Sequence, residues 1–158
     1  MIYVLDTSAI LSGKPMPPAH ECVLPLSVVD EIRHGRMKNA LDFILEAGAK
    51  ALNPSGKELA RVREAARKTG DEARISGPDA DSIALALEMD ATLLTDDYSM
   101  QNLATVLSID YKALSQAGIK EIWTWQHRCK GCGRYFEEAQ KECPVCGSEV
   151  RTTRKRGA

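Results

Sequence analysis

Apolar residues in the first two thirds of the chain form short continuous runs separated by segments with helical spacing. Four segments predict strands: residues 2–5, 22–26, 49–52 and 91–95. Residues 2–5 form a continuous apolar run, as expected of a strand that is covered on both faces. Between them, apolar positions recur every three or four residues and predict helices. Strands that alternate with helices predict an α/β fold with a central parallel sheet and right-handed crossovers.

Capping residues and chain breakers predict where several helices begin and end. Ser27 is the expected N-cap of a helix that ends near Gly35. Residues 57–69 predict a charged helix, and residues 83–89 predict a buried one. The polar segment "TGDEARISGPD" (69–79) contains several breakers, so we expect a mobile loop between these two helices.

Carboxylates follow the predicted strands or begin the helices that come next, and the candidates are Asp6, Glu31, Asp81, Asp96 and Asp97. The carboxyl ends of parallel strands lie at one edge of the sheet, where the reactive crevice of such folds is found. Clustered negative charges oppose folding unless a cation neutralises them, and oxygen ligands suit Mg²⁺ or Mn²⁺. Such an ion activates water and stabilises a leaving oxygen, so the pattern predicts metal-assisted phosphodiester hydrolysis.

Each carboxylate also has an ordinary structural interpretation. Asp6, together with Thr7 and Ser8, is suited to capping a short helix, and Glu31 is suited to a solvated helix face. The pair at 96–97 is suited to a turn. Taken singly, these interpretations are favoured; the joint position at one sheet edge favours a functional site.

Two choices within the cluster stay open. Asp97 ranks ahead of Asp96 because it shares a face with Thr95 if the strand continues. Asp81 ranks ahead of Asp79 because "GPD" is so well suited to a helix cap.

Several enzyme classes are disfavoured by missing motifs. The sequence has no Gly-rich phosphate loop, no G-x-S-x-G and no H-E-x-x-H. Nucleotide kinases, serine hydrolases and zinc proteases therefore lose support.

Length and composition indicate one ordinary domain plus a small module. The chain has 158 residues, 44% hydrophobic and 27% charged, which is typical of globular proteins. There is no apolar run long enough for a membrane span and no signal-peptide pattern, so we expect no membrane partner and a cytoplasmic location. Charge is uneven: residues 1–126 hold 13 Lys and Arg against 18 Asp and Glu, whereas residues 127–158 hold 8 against 4.

Four of the five cysteines form two C-x-x-C-G pairs separated by ten residues, at Cys129, Cys132, Cys143 and Cys146. In a cytosolic chain this spacing predicts a zinc ribbon with one closed, structural Zn²⁺ site. Because a module of this size has little hydrophobic core, its folding should depend on metal binding.

The zinc module is cationic, and its candidate RNA-binding residues are Arg128, Lys130, Arg134, Arg154, Lys155 and Arg156. A solubilising tail is the competing interpretation for residues 151–158. Tyr135 and Phe136 are candidates for base stacking or for the ribbon core.

The strings "LDTSAIL" and "PDADSIALALEMDATLLTDD", together with Glu31, resemble PIN-domain ribonucleases. "LLTDDYSMQN", followed by a C-terminal zinc ribbon, is similar to one PIN family, the Nin one binding protein family of ribosome-maturation endonucleases in archaea and eukaryotes. The chain lacks the long insertions of eukaryotic members and therefore resembles the archaeal ones.

The resemblance implies a three-layer α/β/α fold and a Mn²⁺- or Mg²⁺-dependent endonuclease. It implies that the carboxylates named above are the catalytic and metal-binding residues, and that the four cysteines bind zinc. The implied substrate is the precursor of small-subunit rRNA, cut at its mature 3′ end. The implied partners are this pre-rRNA and the small ribosomal subunit precursor, with assembly factors as possible further partners.

The expected organisation is a PIN nuclease domain at 1–118, a linker or terminal strand at 119–127, a zinc ribbon at 128–150 and a basic tail at 151–158. The leading functional hypothesis is a metal-dependent endoribonuclease that cuts precursor 16S rRNA at its 3′ end. One alternative is a toxin-type PIN ribonuclease acting on tRNA or mRNA. The other is a non-catalytic RNA-binding factor for ribosome assembly.

Overall fold

A computed structural model of the chain describes residues 1–35, 38–114 and 123–156. Its elements, in chain order, are β1 (Tyr3–Leu5), α1 (Thr7–Leu11), β2 (Cys22–Pro25), α2 (Leu26–Arg33), α3 (Lys38–Glu46), β3 (Lys50–Leu52), α4 (Gly56–Thr69), α5 (Gly77–Met89), β4 (Thr92–Leu94), α6 (Tyr98–Val106), β5 (Tyr111–Lys112), β6 (Trp123–Cys129), β7 (Tyr135–Phe136) and β8 (Val150–Arg156). Short 3₁₀ turns occupy Ala19–Glu21 and Glu72–Arg74.

The first five strands form one parallel sheet in the order β3-β2-β1-β4-β5. The chain builds outward from β1 through β2 to β3 and then returns to the other side of β1 with β4. Leu5, the last residue of β1, lies opposite Leu94, the last residue of β4. The strand order therefore reverses between β1 and β4, which is where open α/β sheets bind their ligands.

Helices cover both faces of this sheet. Val4 and Leu93 pack into one core together with residues of α4, α5 and α6. Their neighbours Leu5 and Leu94 point to the opposite face and pack with residues of α1, α2 and α3. All four side chains are buried, and each such burial stabilises the fold by about 1.5–3 kcal/mol. The predicted three-layer α/β/α architecture is confirmed.

Helix α2 does not begin as the sequence predicts. Pro25 takes the N-cap position with φ −66°, and Leu26 is the first helical residue. The proline ring already fixes the backbone for helix entry, so no side-chain cap is needed. The Ser27 hydroxyl instead donates to Asp81 on α5 at 2.6 Å.

The segment at 69–79, which is predicted to be a mobile loop, contains a buried aspartate that bonds to neighbouring residues. Asp71 is fully buried, and its carboxylate accepts hydrogen bonds from the Thr69 hydroxyl at 2.5 Å and the Asn102 side chain at 2.9 Å. Helix α5 also begins earlier than the expected residue 83, since a capping box between Ser76 and Asp79 starts it at Gly77. The bond between Asp71 and Asn102 attaches the segment between α4 and α5 to α6.

The C-terminal strands form a separate antiparallel sheet in the order β7-β6-β8. Residues 151–156, which belong to the segment predicted as a basic tail, form β8 together with Val150, and the threonines of this strand favour extended backbone. Strand β6 covers the end of the segment predicted as a linker or terminal strand, while residues 115–122 lie outside the described residues. The side chains of the tail cations Arg154, Lys155 and Arg156 also lie outside the described ones.

The antiparallel sheet contacts the helical layer of the larger sheet through β6, which packs against α4. Within the described ranges, there is no helix with the length and apolar character required to cross a membrane.

Candidate active site and metal centre

Asp6 ends β1 at the reversal of strand order, and its side chain is only 3% exposed. Its carboxylate accepts hydrogen bonds from the Ala9 amide at 2.8 Å, the Ser8 hydroxyl at 2.8 Å and the Thr95 hydroxyl at 2.5 Å. Burial raises the pKa of Asp6 above its ordinary value, and the hydrogen bonds offset part of that rise. Asp6 is also the N-cap of α1, as the structural interpretation of its sequence context predicts.

Thr95 joins the two strands that flank the reversal. Its side chain is fully buried; the hydroxyl donates to Asp6 and accepts from the amide of Asp97 at 3.1 Å. Asp97 in turn caps α6, accepting from the amides of Ser99 and Met100. One hydroxyl therefore fixes the backbone at Asp97 relative to the carboxylate of Asp6.

The neighbouring Asp96 is held differently. Its amide donates to the Ser8 hydroxyl at 3.3 Å, while its carboxylate accepts from the amide of Leu114 at 2.7 Å. That bond directs the Asp96 side chain to the segment after β5.

Asp79 lies in the first turn of α5 and is half-buried. Burial raises its pKa, and the negative charges of Asp97 and Glu31 raise it further. Asp79 contributes in the same way to the raised pKa of Asp6. Asp79 therefore lies close enough to Asp6, Asp97 and Glu31 for its negative charge to interact with each of theirs.

Asp81 and Glu31 are engaged with hydroxyl groups. The Glu31 carboxylate is exposed and accepts from the Thr7 hydroxyl at 2.7 Å, which links α2 to α1. The Asp81 carboxylate accepts from Ser27 at 2.6 Å, which links α5 to α2.

The carboxylates are not packed as a closed metal cage. Among the described residues, only the four cysteines bring three or more ligand atoms within 4.8 Å of one another. Mg²⁺ usually retains several water molecules and binds through one or two carboxylates. An open set of oxygen donors like this one suits an ion that binds in that way. The donor set of Asp6, Asp79, Asp97 and Glu31 is therefore compatible with a hydrated hard cation, not with a buried structural ion.

The four ribbon cysteines are arranged very differently. The sulfurs of Cys129 and Cys146 lie 3.3 Å apart, and those of Cys132 and Cys143 lie 3.7 Å apart. A tetrahedron with Zn–S bonds of about 2.3 Å has sulfur–sulfur edges of about 3.8 Å. Hydrogen bonds from Ser148 lower the pKa of Cys146 to about 6, which favours the thiolate that a metal needs. The cluster could hold the predicted zinc ion.

Gly131 shows how closely the two cysteine loops approach. A Cβ added there would lie 3.1 Å from the Cys146 sulfur and closer still to the Ser148 side chain. The loop therefore has room only for glycine at this position.

A family model described as the PIN domain of ribonuclease matches residues 3–89, which contain β1 to α5 and with them Asp6, Glu31, Asp79 and Asp81. The chain belongs to the PIN-domain ribonuclease family. It is an endoribonuclease with a C-terminal four-cysteine module consistent with a zinc ribbon.

Two curated relatives align with almost the whole length of this chain. It is 39% identical over 96% of its length to Ribonuclease VapC1 of Thermoplasma acidophilum, of which it covers 77%. It is 36% identical over 97% of its length to Endoribonuclease Nob1 of Pyrococcus abyssi, of which it covers 94%. A solved VapBC-1 structure from nontypeable Haemophilus influenzae matches with a TM-score of 0.51 at 17% identity, covering 73% of this chain and 100% of that one, which supports the fold alone.

The sequence analysis names four hydroxyl residues of the PIN site but does not predict that their hydroxyl groups bond the candidate carboxylates. Thr95, Ser8, Thr7 and Ser27 each bond a candidate carboxylate or a neighbouring amide. The available signal was their position: three of them lie within two residues of an aspartate in "LDTS" and "LLTDD". Nothing local marks Ser27, whose partner is 54 positions away.

Proposed function

We propose that this PIN protein is a metal-dependent endoribonuclease that cuts the precursor of small-subunit (16S) rRNA at its 3′ end. The observation that carries the proposal is that one chain combines the PIN acidic edge with a four-cysteine cluster and covers 94% of the Nob1 relative from Pyrococcus abyssi. These relatives are named Endoribonuclease Nob1, and their likeness to this chain supports pre-rRNA and the small-subunit precursor as its partners.

The catalytic residues in this proposal are the carboxylates around the β1–β4 reversal. Asp6, Asp97 and Glu31 would hold Mn²⁺ or Mg²⁺, which would supply an activated water molecule and charge stabilisation at the phosphate. We add Asp79 to this set, since it shares the electrostatic field of all three. Asp81 and Asp96 remain candidates that orient α5 and the β4 end through their hydrogen bonds.

In this proposal the ribbon binds the RNA. Its exposed cations Arg128, Lys130 and Arg134 attract a phosphate backbone, and β8 brings Arg151 beside them. A zinc ion held by the four cysteines would have a structural role only, because four thiolate ligands would leave it no open position.

The proposal is tested with a transcript that spans the 3′ end of 16S rRNA, incubated with the zinc-loaded protein with and without Mn²⁺, followed by mapping of the ends. Cleavage at one position that depends on Mn²⁺ is expected. Asp6→Asn should lower the cleavage rate by a factor of about 100 or more, with RNA binding retained. Asp110→Asn is the matched control, since Asp110 is exposed and precedes β5 at the opposite edge of the sheet. Undiminished cutting by the Asp6 variant would refute the assignment of the site.

A second candidate is a toxin-type ribonuclease that cuts tRNA or mRNA, which the relative named Ribonuclease VapC1 favours. Cleavage of tRNA or mRNA at rates equal to or above those of the rRNA transcript would support this candidate instead.

A further inference from the structure

Helix α6 carries two consecutive polar side chains that are almost completely buried. Gln101 is 0% exposed and Asn102 is 1% exposed. A buried amide is costly unless it finds hydrogen-bond partners, so the partners of these two residues show what each one holds in place. Successive residues of a helix are about 100° apart, and the two side chains therefore leave α6 in different directions.

Gln101 bonds the chain at the end of β4. Its side-chain amide donates to the Thr95 carbonyl at 2.9 Å, and its backbone amide donates to the Asp97 carbonyl at 3.0 Å. Thr95 is the residue whose hydroxyl donates to the carboxylate of Asp6. Gln101 therefore fixes, from α6, the backbone that carries both Thr95 and Asp97.

The side-chain oxygen of Gln101 explains why this residue is more than a packing element. Oε1 is buried and has no hydrogen-bond partner among the described residues, and an unpaired buried acceptor destabilises a fold. A methionine would fill a similar volume without an unpaired oxygen, so packing alone does not favour glutamine at this position. What glutamine adds is the bond to the Thr95 carbonyl, which points to a role at the end of β4.

Asn102 holds the segment that leads into α5. Its side-chain amide donates to the Asp71 carboxylate at 2.9 Å, and Asp71 is fully buried. The Asp71 carbonyl accepts from the Arg74 amide at 2.8 Å, which closes the short 3₁₀ turn before α5. Ser76, the N-cap of α5, follows two residues after this turn, and its capping box contains Asp79. The bond from Asn102 therefore limits where the start of α5, and Asp79 with it, can lie.

The end of β4 and the start of α5 carry charges of the same sign. The negative charge of Asp97 contributes to the raised pKa of Asp79, so these two carboxylates oppose each other when both are ionised. Helix α6 is bonded to both sides, through Gln101 and through Asn102. Hydrogen bonds in the interior resist displacement better than exposed ones, because the low local dielectric strengthens them.

We propose that Gln101 and Asn102 are positioning residues of the acidic site, whose two sides they hold together from α6. Gln101 sets the position of Asp97 at the end of β4. Asn102 sets the position of Asp79 at the start of α5. The inference rests on the proposed function, in which these carboxylates hold Mn²⁺ or Mg²⁺, and it extends the site to two side chains that are buried away from both metal and RNA.

The test measures the affinity of the zinc-loaded, full-length protein for Mn²⁺ by titration calorimetry. Gln101→Met removes one buried hydrogen bond at similar volume, and Asn102→Ala removes the other without adding bulk. Leu103→Val is the matched control, because Leu103 is the next residue of α6, is fully buried and packs in the core. Its loss of one methylene destabilises the helix packing and leaves both bonds in place. The free energy of unfolding of each variant is measured in urea.

Each amide variant should weaken Mn²⁺ binding by about tenfold or more, as is typical of residues that orient metal ligands, whereas Leu103→Val should change it by less than about twofold. Asn102→Ala should have little further effect in the Asp79→Asn background, while Gln101→Met should keep its effect there. With the rRNA transcript as substrate and Mn²⁺ at a fixed concentration, kcat should fall and KM should stay the same, since neither side chain reaches the RNA.

Three results would overturn the proposal. The first is a loss of Mn²⁺ affinity in Leu103→Val equal to that in the amide variants, which would mean that all three act through the stability of α6. The second is an unchanged Mn²⁺ affinity in both amide variants. The third is an undiminished effect of Asn102→Ala in the Asp79→Asn background, which would exclude Asp79 as the group that Asn102 positions.

Folding is controlled with a second pair of variants. If Gln101→Met or Asn102→Ala does not fold, Gln101→Asn and Asn102→Ser are measured in its place, with the same affinities expected; unfolding of all four would show that the pair serves the fold and not the site. Failure of the proposed function is a separate result. A parent protein that binds Mn²⁺ but cuts no RNA refutes the function, while the Mn²⁺ affinities of the variants still decide the positioning roles.

Discussion

Replacing Thr95 by valine removes one hydroxyl at the centre of the acidic edge and almost no volume. In the native protein that hydroxyl donates to Asp6 at 2.5 Å and accepts from the Asp97 amide at 3.1 Å, in a position with no exposure to solvent. Valine can do neither. The Asp6 carboxylate loses a donor, and the Asp97 amide loses its acceptor.

The cost follows from these two losses. A hydrogen bond to a charged group contributes about 1.5–3 kcal/mol, and an unpaired buried amide costs about 1–3 kcal/mol. Partial relaxation around the site reduces the sum, so we expect Thr95→Val to lower the free energy of unfolding by about 2–4 kcal/mol at neutral pH.

The loss should depend on pH. The Thr95 bond favours the ionised form of Asp6 and so lowers its pKa relative to burial alone. Its contribution is present while Asp6 is ionised and is lost as the pH falls through the pKa of Asp6 in the folded protein. The difference between variant and parent should therefore shrink on acidification.

The assay is urea unfolding, followed by the far-UV ellipticity of the helices at neutral pH and at about pH 4, near the ordinary pKa of aspartate. Thr95→Ser keeps the hydroxyl and should lose much less. Thr105→Val is the matched control, because Thr105 is exposed and its hydroxyl donates to the Gln101 carbonyl of its own helix, away from the acidic edge. If Thr95→Val is no more destabilising than Thr105→Val, or if its effect is the same at both pH values, the reasoning about this hydroxyl is wrong.

Three further predictions concern metal binding. Asp79→Asn should weaken Mn²⁺ binding at least about tenfold, whereas Asp81→Asn should weaken it little. Both affinities are measured by titration calorimetry of the zinc-loaded protein. A larger loss for Asp81→Asn than for Asp79→Asn would mean that Asp81, and not Asp79, is the metal ligand. Because burial raises the pKa of Asp6, protons compete with the metal for its carboxylate. The affinity for Mn²⁺ should therefore rise as the pH rises through that pKa, and Mn²⁺ binding should release protons, which calorimetry in buffers of different ionisation enthalpy measures. If Asp6 were already fully ionised, neither the rise in affinity nor the proton release would be seen. Gly131→Ala places a methyl group 3.1 Å from a zinc-ligand sulfur and should weaken zinc binding about 10- to 100-fold in a chelator competition, while Gly56→Ala, which meets nothing within 4 Å, should not change it.

Features that depend on spacing along the chain could be predicted from the sequence. Two C-x-x-C-G pairs at the right separation predict a four-cysteine cluster, and the sulfurs of Cys129, Cys132, Cys143 and Cys146 do lie together. Continuous apolar runs likewise predict strands covered on both faces, because only buried strands need apolar side chains in both directions. Asp6 at the end of the first run was identifiable for the same reason.

Features that depend on how elements pack could not be predicted in this way. Asp79 and Asp81 are two residues apart on α5, and successive helical residues are about 100° apart, so their side chains leave the helix in nearly opposite directions. Only the packing of α5 against the sheet and α2 decides that Asp79 joins the field of Asp97 and Glu31 while Asp81 bonds Ser27. The basic end became β8 for a related reason, since β6 offers it a partner strand that local composition does not reveal. Spacing and burial pattern are properties of the chain, whereas the direction of a side chain relative to a distant partner exists only in the folded molecule.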